Sequence, residues 1–189
     1  MTRIKFCGLR RADDVMVASR LADYIGFVFA PSKRQVTLEQ AAELRQLVPA
    51  SVQVVGVFVS PTLEEVEAAI KTVGLDLIQI HGVMDEAILT QTEVPIIQAV
   101  VAGSTTIDTE ADYMLYDAPQ AGSGQRFDWS TDLKSTRPMF VAGGLTPENV
   151  AAAIARYQPF AVDVSSGIET EFQKDQQKML AFAHAVKGR

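Results

Sequence analysis

The chain keeps returning to one device, a strand-length run of β-branched and apolar residues followed by an amphipathic segment of helix length. That alternation restricts the fold more than any other feature. The runs are RIKFCG (3–8), YIGFVFA (24–30), VQVVGVFV (52–59), LDLIQIH (75–81), PIIQAVV (95–101), DYMLYDA (112–118), PMFVAGG (138–144) and FAVDVSSG (160–167). Between and after them lie ADDVMVASRLA, TLEQAAELRQLV, TLEEVEAAIKTVG, TPENVAAAIARYQ and KDQQKMLAFAHAVKG. Nearly continuous apolar strands are covered on both faces, and strand–helix alternation makes them parallel. Ser60-Pro61-Thr62 and Thr146-Pro147-Glu148 each offer a hydroxyl cap with proline at the first helical position. Two units are weak: TTIDTEA allows only a degenerate fifth helix, and PQAGSGQRFDWSTDLKSTR after the sixth strand is mostly loop. No linker, low-complexity tract or charge run interrupts the pattern, so one domain over residues 1–189 is expected.

Eight strands allow an open doubly wound sheet or a closed barrel. The open sheet binds ligands at a switch point, usually through a glycine-rich loop after the first strand. Here the first strand ends in Cys7-Gly8-Leu9-Arg10, with no G-x-G-x-x-G, and the glycine-rich loops follow strands six, seven and eight. Late glycine loops suit the phosphate site of an α/β (β/α)8 TIM barrel, which is the expected fold. At 189 residues it is compact, since about 250 is usual.

Side chains alternate across a strand, so residues two apart share a face. Lys5 goes with Cys7, Gln79 with His81, and Asp163 with Ser165, while Asp117 ends the sixth strand. The opposite parity holds Ile4, Phe6, Ile78, Ile80, Tyr116, Val162 and Val164. In a barrel the polar set faces the lumen near the strand C-termini, where an active site belongs. Each residue also has a plainer reading. Cys7 alone is a small buried hydrophobe, Lys5 and Asp163 are a buried ion pair, His81 is a strand-end histidine and Asp117 is a turn carboxylate. Shared parity at one end of the barrel favours function for Cys7, His81 and Asp117. His184, in the last helix, reads as a surface residue.

Gly122-Ser123-Gly124, Ala142-Gly143-Gly144-Leu145 and Ser165-Ser166-Gly167 supply backbone donors for an anion. Arg34 is either a cation over the mouth or a solvated loop arginine. The formal charge of -6, with 17 Lys and Arg against 23 Asp and Glu, argues against nucleic acid or an anionic membrane as a partner. One cysteine, Cys7, permits no intramolecular disulfide and points to a reducing interior. MTRIKFCGLRR does not read as a signal peptide, and VQVVGVFV is too short to span a bilayer. A cytoplasmic protein is expected.

KFCG, IGFVFAPSKR, GVFV, IQIHG, GSGQRFDWS, VAGGLTPENV and FAVDVSSGIE, in this order, resemble the phosphoribosylanthranilate isomerases from residue 3 to the last helix. The resemblance implies an Amadori rearrangement in tryptophan biosynthesis, without metal or cofactor. N-(5-phosphoribosyl)anthranilate would become 1-(2-carboxyphenylamino)-1-deoxyribulose 5-phosphate. It implies Asp117 as general acid and Cys7 as general base. Arg34, His81 and Asp163 would fall in the substrate-binding set, Arg34 near the anthranilate carboxylate. Gly124, Gly143, Gly144, Ser166 and Gly167 would hold the phosphate. The only partner implied is the small phosphoribosyl substrate, and the chain would be a monomer or homodimer. Three positions depart from the family pattern: Gln125 replaces a usual lysine, Gln35 an aromatic and Arg10 a threonine.

Other readings are a metal-dependent epimerase, a Schiff-base aldolase or a non-catalytic phosphometabolite binder. Two histidines are too few for the first. Lys5 lies too deep for the second, and the Cys7–Asp117 pair argues against the third.

Overall fold

A computed structural model describes residues 1–102, 109–118, 132–133 and 135–188. Eight parallel strands close into a barrel in chain order: β1 (Arg3–Cys7), β2 (Tyr24–Val28), β3 (Gln53–Val59), β4 (Leu77–His81), β5 (Ile96–Val101), β6 (Tyr113–Asp117), β7 (Met139–Val141) and β8 (Ala161–Val164). Closure is direct, because β1 pairs with β2 through Lys5↔Tyr24 and with β8 through Lys5↔Asp163. All eight expected strands are present, with ends trimmed by a few residues. The expected degenerate fifth helix and the loop after the sixth strand fall largely on 103–108 and 119–131, outside the described residues.

Six α-helices are seen among the described residues: α1 (Ala12–Ala18), α2 (Leu38–Arg45), α3 (Leu63–Ala69), α4 (Glu86–Gln91), α5 (Val150–Tyr157) and α6 (Gln176–Lys187). The two proline-led starts differ from expectation. Thr62 caps α3 in a reciprocal box with Glu65, and Pro61 lies before the helix rather than in its first turn. Ser60 instead sits at φ 46, and its hydroxyl accepts the Val83 N–H. At α5 the Thr146 carbonyl accepts the N–H groups of Asn149 and Val150, so a turn containing Pro147 feeds a helix that becomes regular at Val150. The last segment also differs. After β8 come a 3-10 turn (Ser166–Ile168) and a two-stranded hairpin, β9 (Glu169–Thr170) and β10 (Gln173–Lys174), before Asp175 caps α6.

Two apolar layers follow from strand parity. Ile4, Phe6, Ile78, Ile80, Val162 and Val164 join helix residues such as Val15, Val66 and Phe182 in the outer layer. Tyr24, Val55, Leu77, Ile97, Leu115, Phe140 and Ala161 fill the lumen. Tyr24 and Tyr113 meet Phe140 edge-on at ring separations of 5.5 and 5.7 Å. Phe160 packs against the Phe140 ring, and the Arg3 guanidinium lies over Phe160. This aromatic packing fills the N-terminal end of the lumen, which leaves the polar C-terminal end as the place where a ligand can enter.

Candidate active site

A cavity of about 400 Å³ opens at the C-terminal ends of the strands, a size that suits a small phosphorylated metabolite. Cys7, Arg34, His81, Asp117, Asp163, Gly143, Gly144 and Ser166 all line it. Gly167 lies just outside, in an adjoining hollow with Gly144, Thr146 and Ser166. Gly124 falls outside the described residues, as do Gln125 and Arg126. His184 is exposed on α6, as the sequence indicates.

Strand order arranges these groups around the mouth. Asp117 ends β6, the Gly143-Gly144 turn follows β7, Ser165-Ser166 follow β8, and Cys7 ends β1. The two glycine-bearing loops therefore lie between the carboxylate and the thiol. Asn149 fixes the first loop, since its Oδ1 accepts the Thr146 N–H at 2.8 Å and its Nδ2 donates to the Gly144 carbonyl at 2.9 Å. Gly167 fixes the second against it, because a Cβ there would sit 1.8 Å from the Leu145 carbonyl oxygen.

Lys5 and Asp163 form the buried ion pair, with Nζ to Oδ2 at 2.9 Å and no exposure of the lysine. Asp163 lines the cavity, but its partner is Lys5. The thiol and the ammonium both pack on Gly26, where a Cβ would lie 2.9 Å from Cys7 Sγ and 3.2 Å from Lys5 Nζ. Burial opposes the Lys5 charge, but the facing Asp163 and Cys7 raise its pKa overall. For Cys7 burial is the largest influence and pushes the thiol up. Lys5 pulls it back down, as the parity of β1 allows, without cancelling the effect of burial.

Burial also raises Asp117, to about 6, against the Ala118 N–H that its Oδ1 accepts at 2.8 Å. His81 is pushed down, first by burial and then by Lys5, so a neutral imidazole is favoured. Gln79 Nε2 approaches His81 Nε2 at 2.8 Å; with the amide in this orientation the ring nitrogen accepts and its proton sits on Nδ1.

Arg34 is not a solvated loop side chain. It lines the cavity and forms a two-point ion pair with Glu169, Nε to Oε1 and Nη2 to Oε2, both at 2.7 Å. Glu169, Lys174 and Asn149 carry no signal in strand or helix periodicity, and only contact across the loops reveals them. The departures are local: Gln35 donates to the Phe29 carbonyl, and Arg10 lines a separate cavity beside α1. Among the described residues no cluster of three or more His, Cys, Asp or Glu side chains could hold a metal ion.

The model of the N-(5'-phosphoribosyl)anthranilate (PRA) isomerase family matches residues 4–185. The chain is 53% identical over 192 aligned positions to an N-(5'-phosphoribosyl)anthranilate isomerase of Streptococcus mutans, covering 99% of this chain and 100% of that protein. The crystal structure of a phosphoribosyl anthranilate isomerase from Thermus thermophilus superposes with a TM-score of 0.90 at 29% identity over 99% of both chains. Another isomerase of this name, in complex with reduced 1-(o-carboxyphenylamino)-1-deoxyribulose 5-phosphate, superposes with a TM-score of 0.83 at 32% identity over 100% of both chains. A matching family model, full-length relatives and a closed barrel with its cavity at the strand C-termini agree: the chain belongs to the N-(5'-phosphoribosyl)anthranilate isomerase family.

Proposed function

We propose that Cys7 and Asp117 carry out the family's Amadori rearrangement in this chain as general base and general acid. The chain is an isomerase of tryptophan biosynthesis, converting N-(5'-phosphoribosyl)anthranilate to 1-(2-carboxyphenylamino)-1-deoxyribulose 5-phosphate. One observation carries the assignment: in ring order the loops after β7 and β8 lie between the strand of Asp117 and the strand of Cys7. A phosphate held on those loops places the attached sugar between an acid and a base.

The steps follow from the groups present. Asp117, with its pKa lifted to about 6, gives its proton to the ribose ring oxygen as the C1–O bond breaks and a Schiff base forms. The Cys7 thiolate then takes the C2 proton. The pair of the broken C2–H bond forms the C1–C2 double bond of an enolamine as the C1=N pair moves onto nitrogen. The enolamine gains a proton at C1 as it tautomerises to the ketone. The Lys5 ammonium offsets part of the cost of forming that thiolate in a buried site.

Arg34 binds the anthranilate carboxylate, with two of its five N–H groups turned to Glu169. His81, neutral and oriented by Gln79, contacts the substrate by hydrogen bonding rather than by charge. Gly143, Gly144, Ser166 and Gly167, together with Gly124, hold the phosphate through backbone N–H groups. Asp163 acts on the substrate indirectly, by keeping Lys5 charged beside Cys7. No metal or cofactor takes part. Among the described residues no helix is long and apolar enough to cross a membrane. A cytoplasmic location, as a monomer or homodimer, completes the reading.

Growth of a strain lacking this isomerase on medium without tryptophan tests the assignment. Wild type restores growth, and Cys7→Ala and Asp117→Asn do not. Rescue by both variants as well as wild type would remove them from the acid and base roles.

A further inference from the structure

We infer that Glu169 is a positioning residue for the substrate carboxylate, which it serves by fixing Arg34 at the cavity mouth, and that Lys174 holds Glu169 in place for that role. The inference rests on the reading of Arg34 given under Proposed function.

The observations converge on the hairpin after β8. Glu169 and Lys174 lie directly opposite each other in the β9–β10 pair. The two-residue turn between the strands puts Glu171 and Phe172 at φ 51 and 64, the left-handed geometry of a tight hairpin turn that pins register. Glu169 holds Arg34 at two points and accepts from Lys174 Nζ at 2.7 Å. Lys174 spends its other contacts on Ser165, reaching the carbonyl at 2.9 Å and the hydroxyl at 3.2 Å. The Ser165 hydroxyl in turn donates to the Cys7 carbonyl at 3.1 Å. A continuous polar chain thus runs from the arginine at the mouth, past the loop after β8, to the end of β1.

Three charged side chains are desolvated here, with exposures of 17% for Arg34, 6% for Glu169 and 3% for Lys174. Burying them for stability alone is poor use of the site, since an apolar trio of similar volume is usually at least as stable. Function explains the set better. An arginine free to rotate loses that freedom when it meets a carboxylate, and fixing it beforehand removes the loss from substrate binding. Lys174 secures the Glu169 carboxylate from the opposite strand of the hairpin, with Nζ to Oε1 at 2.7 Å.

The test is steady-state kinetics on the full chain with Glu169→Gln, Lys174→Met, Lys174→Arg and Arg34→Ala, alongside binding of reduced 1-(o-carboxyphenylamino)-1-deoxyribulose 5-phosphate and inhibition by inorganic phosphate. Glu169→Gln should raise KM roughly tenfold with kcat within about threefold, because orientation is lost while the acid and base stay in place. Affinity for the reduced product analogue should fall in parallel, and inhibition by phosphate should stay within about threefold, since phosphate uses other loops. Lys174→Met should behave similarly, and Lys174→Arg should recover most of the loss.

If charge alone mattered, Glu169→Gln would lower KM by removing a nearby carboxylate, and that result overturns the inference. An unchanged KM in Glu169→Gln beside a raised KM in Arg34→Ala also overturns it, while leaving the Arg34 assignment standing. An unchanged KM in Arg34→Ala removes the assignment and the inference together. Parallel loss of kcat, analogue binding and phosphate inhibition in Glu169→Gln, with a lowered melting temperature, would make Glu169 a structural residue and overturn its positioning role.

Discussion

The proposed acid, Asp117, ionises near pH 6 and the proposed base, the Cys7 thiol, is raised above its ordinary range, so at neutral pH each is mostly in the form its role does not use. Below about 6 both carry a proton and the base is missing. Above the thiol pKa both have lost it and the acid is missing. Between these limits the pair holds one proton, mostly on sulfur, and the productive arrangement is the minor tautomer. kcat/KM should therefore rise with pH through about 6, stay level, and fall only in the alkaline thiol range. In Asp117→Asn the limb near 6 should vanish, and residual activity should climb with pH as the thiol ionises. A wild-type profile that falls on raising the pH through 6 would be incompatible with this pairing. Lys5 makes a second prediction. In Lys5→Met the Cys7 thiol should ionise at still higher pH, read from the pH dependence of iodoacetamide alkylation. An unchanged midpoint would remove Lys5 from the tuning of Cys7. Stability should also drop by about 3–5 kcal/mol, because Asp163 is left charged and unpaired.

At the scale of elements, the proposed phosphate site is two loops pressed together at Gly167. Gly167→Ala forces a Cβ against the Leu145 carbonyl. It should weaken inhibition by inorganic phosphate at least tenfold and cost about 1–3 kcal/mol of stability, measured by initial rates and thermal melting. Unaltered phosphate inhibition would mean that contact between the loops does not shape the site. The strands were legible because their apolar runs are continuous, and because Lys5, Gln79, His81 and Asp163 break them with one parity. Helix starts were less so. Pro61 looks like a first-turn proline after a Ser60 cap, but the Thr62–Glu65 box is reciprocal and takes the cap two residues later. The hairpin Glu169–Lys174 was not legible at all. Its strands are two residues each, too short for any period, and Lys174 adjoins Asp175-Gln176-Gln177 and reads as helix. The role proposed for it depends on which charges fold against Arg34, and spacing along the chain does not record that.

The whole molecule separates stability from chemistry along one axis. Aromatic packing fills the N-terminal end of the lumen, and the opposite end carries buried groups whose preferred charge state conflicts with their surroundings. Asp117 shows the cost. A carboxyl that ionises at about 6 in the fold and at 3.8 ordinarily favours the folded state only while protonated. That contribution is lost as pH rises through 6, amounting to up to about 3 kcal/mol by neutral pH. Asp117→Asn should therefore melt at a higher temperature than wild type at pH 7 and show little difference near pH 4, by thermal unfolding at the two values. Equal melting temperatures at pH 7 would contradict a strained carboxyl. Ring order, with the loops after β7 and β8 between the strands of Asp117 and Cys7, ties this local strain to the proposed acid–base pair. The most direct measurement is turnover of N-(5'-phosphoribosyl)anthranilate by purified wild type, Cys7→Ala and Asp117→Asn at neutral pH. Wild type should convert it to the ribulose phosphate product without added metal, and each variant should fall by about 10²–10⁴-fold in kcat. No conversion by wild type, or either variant within threefold of it, would contradict the assignment of Cys7 and Asp117 as the catalytic pair.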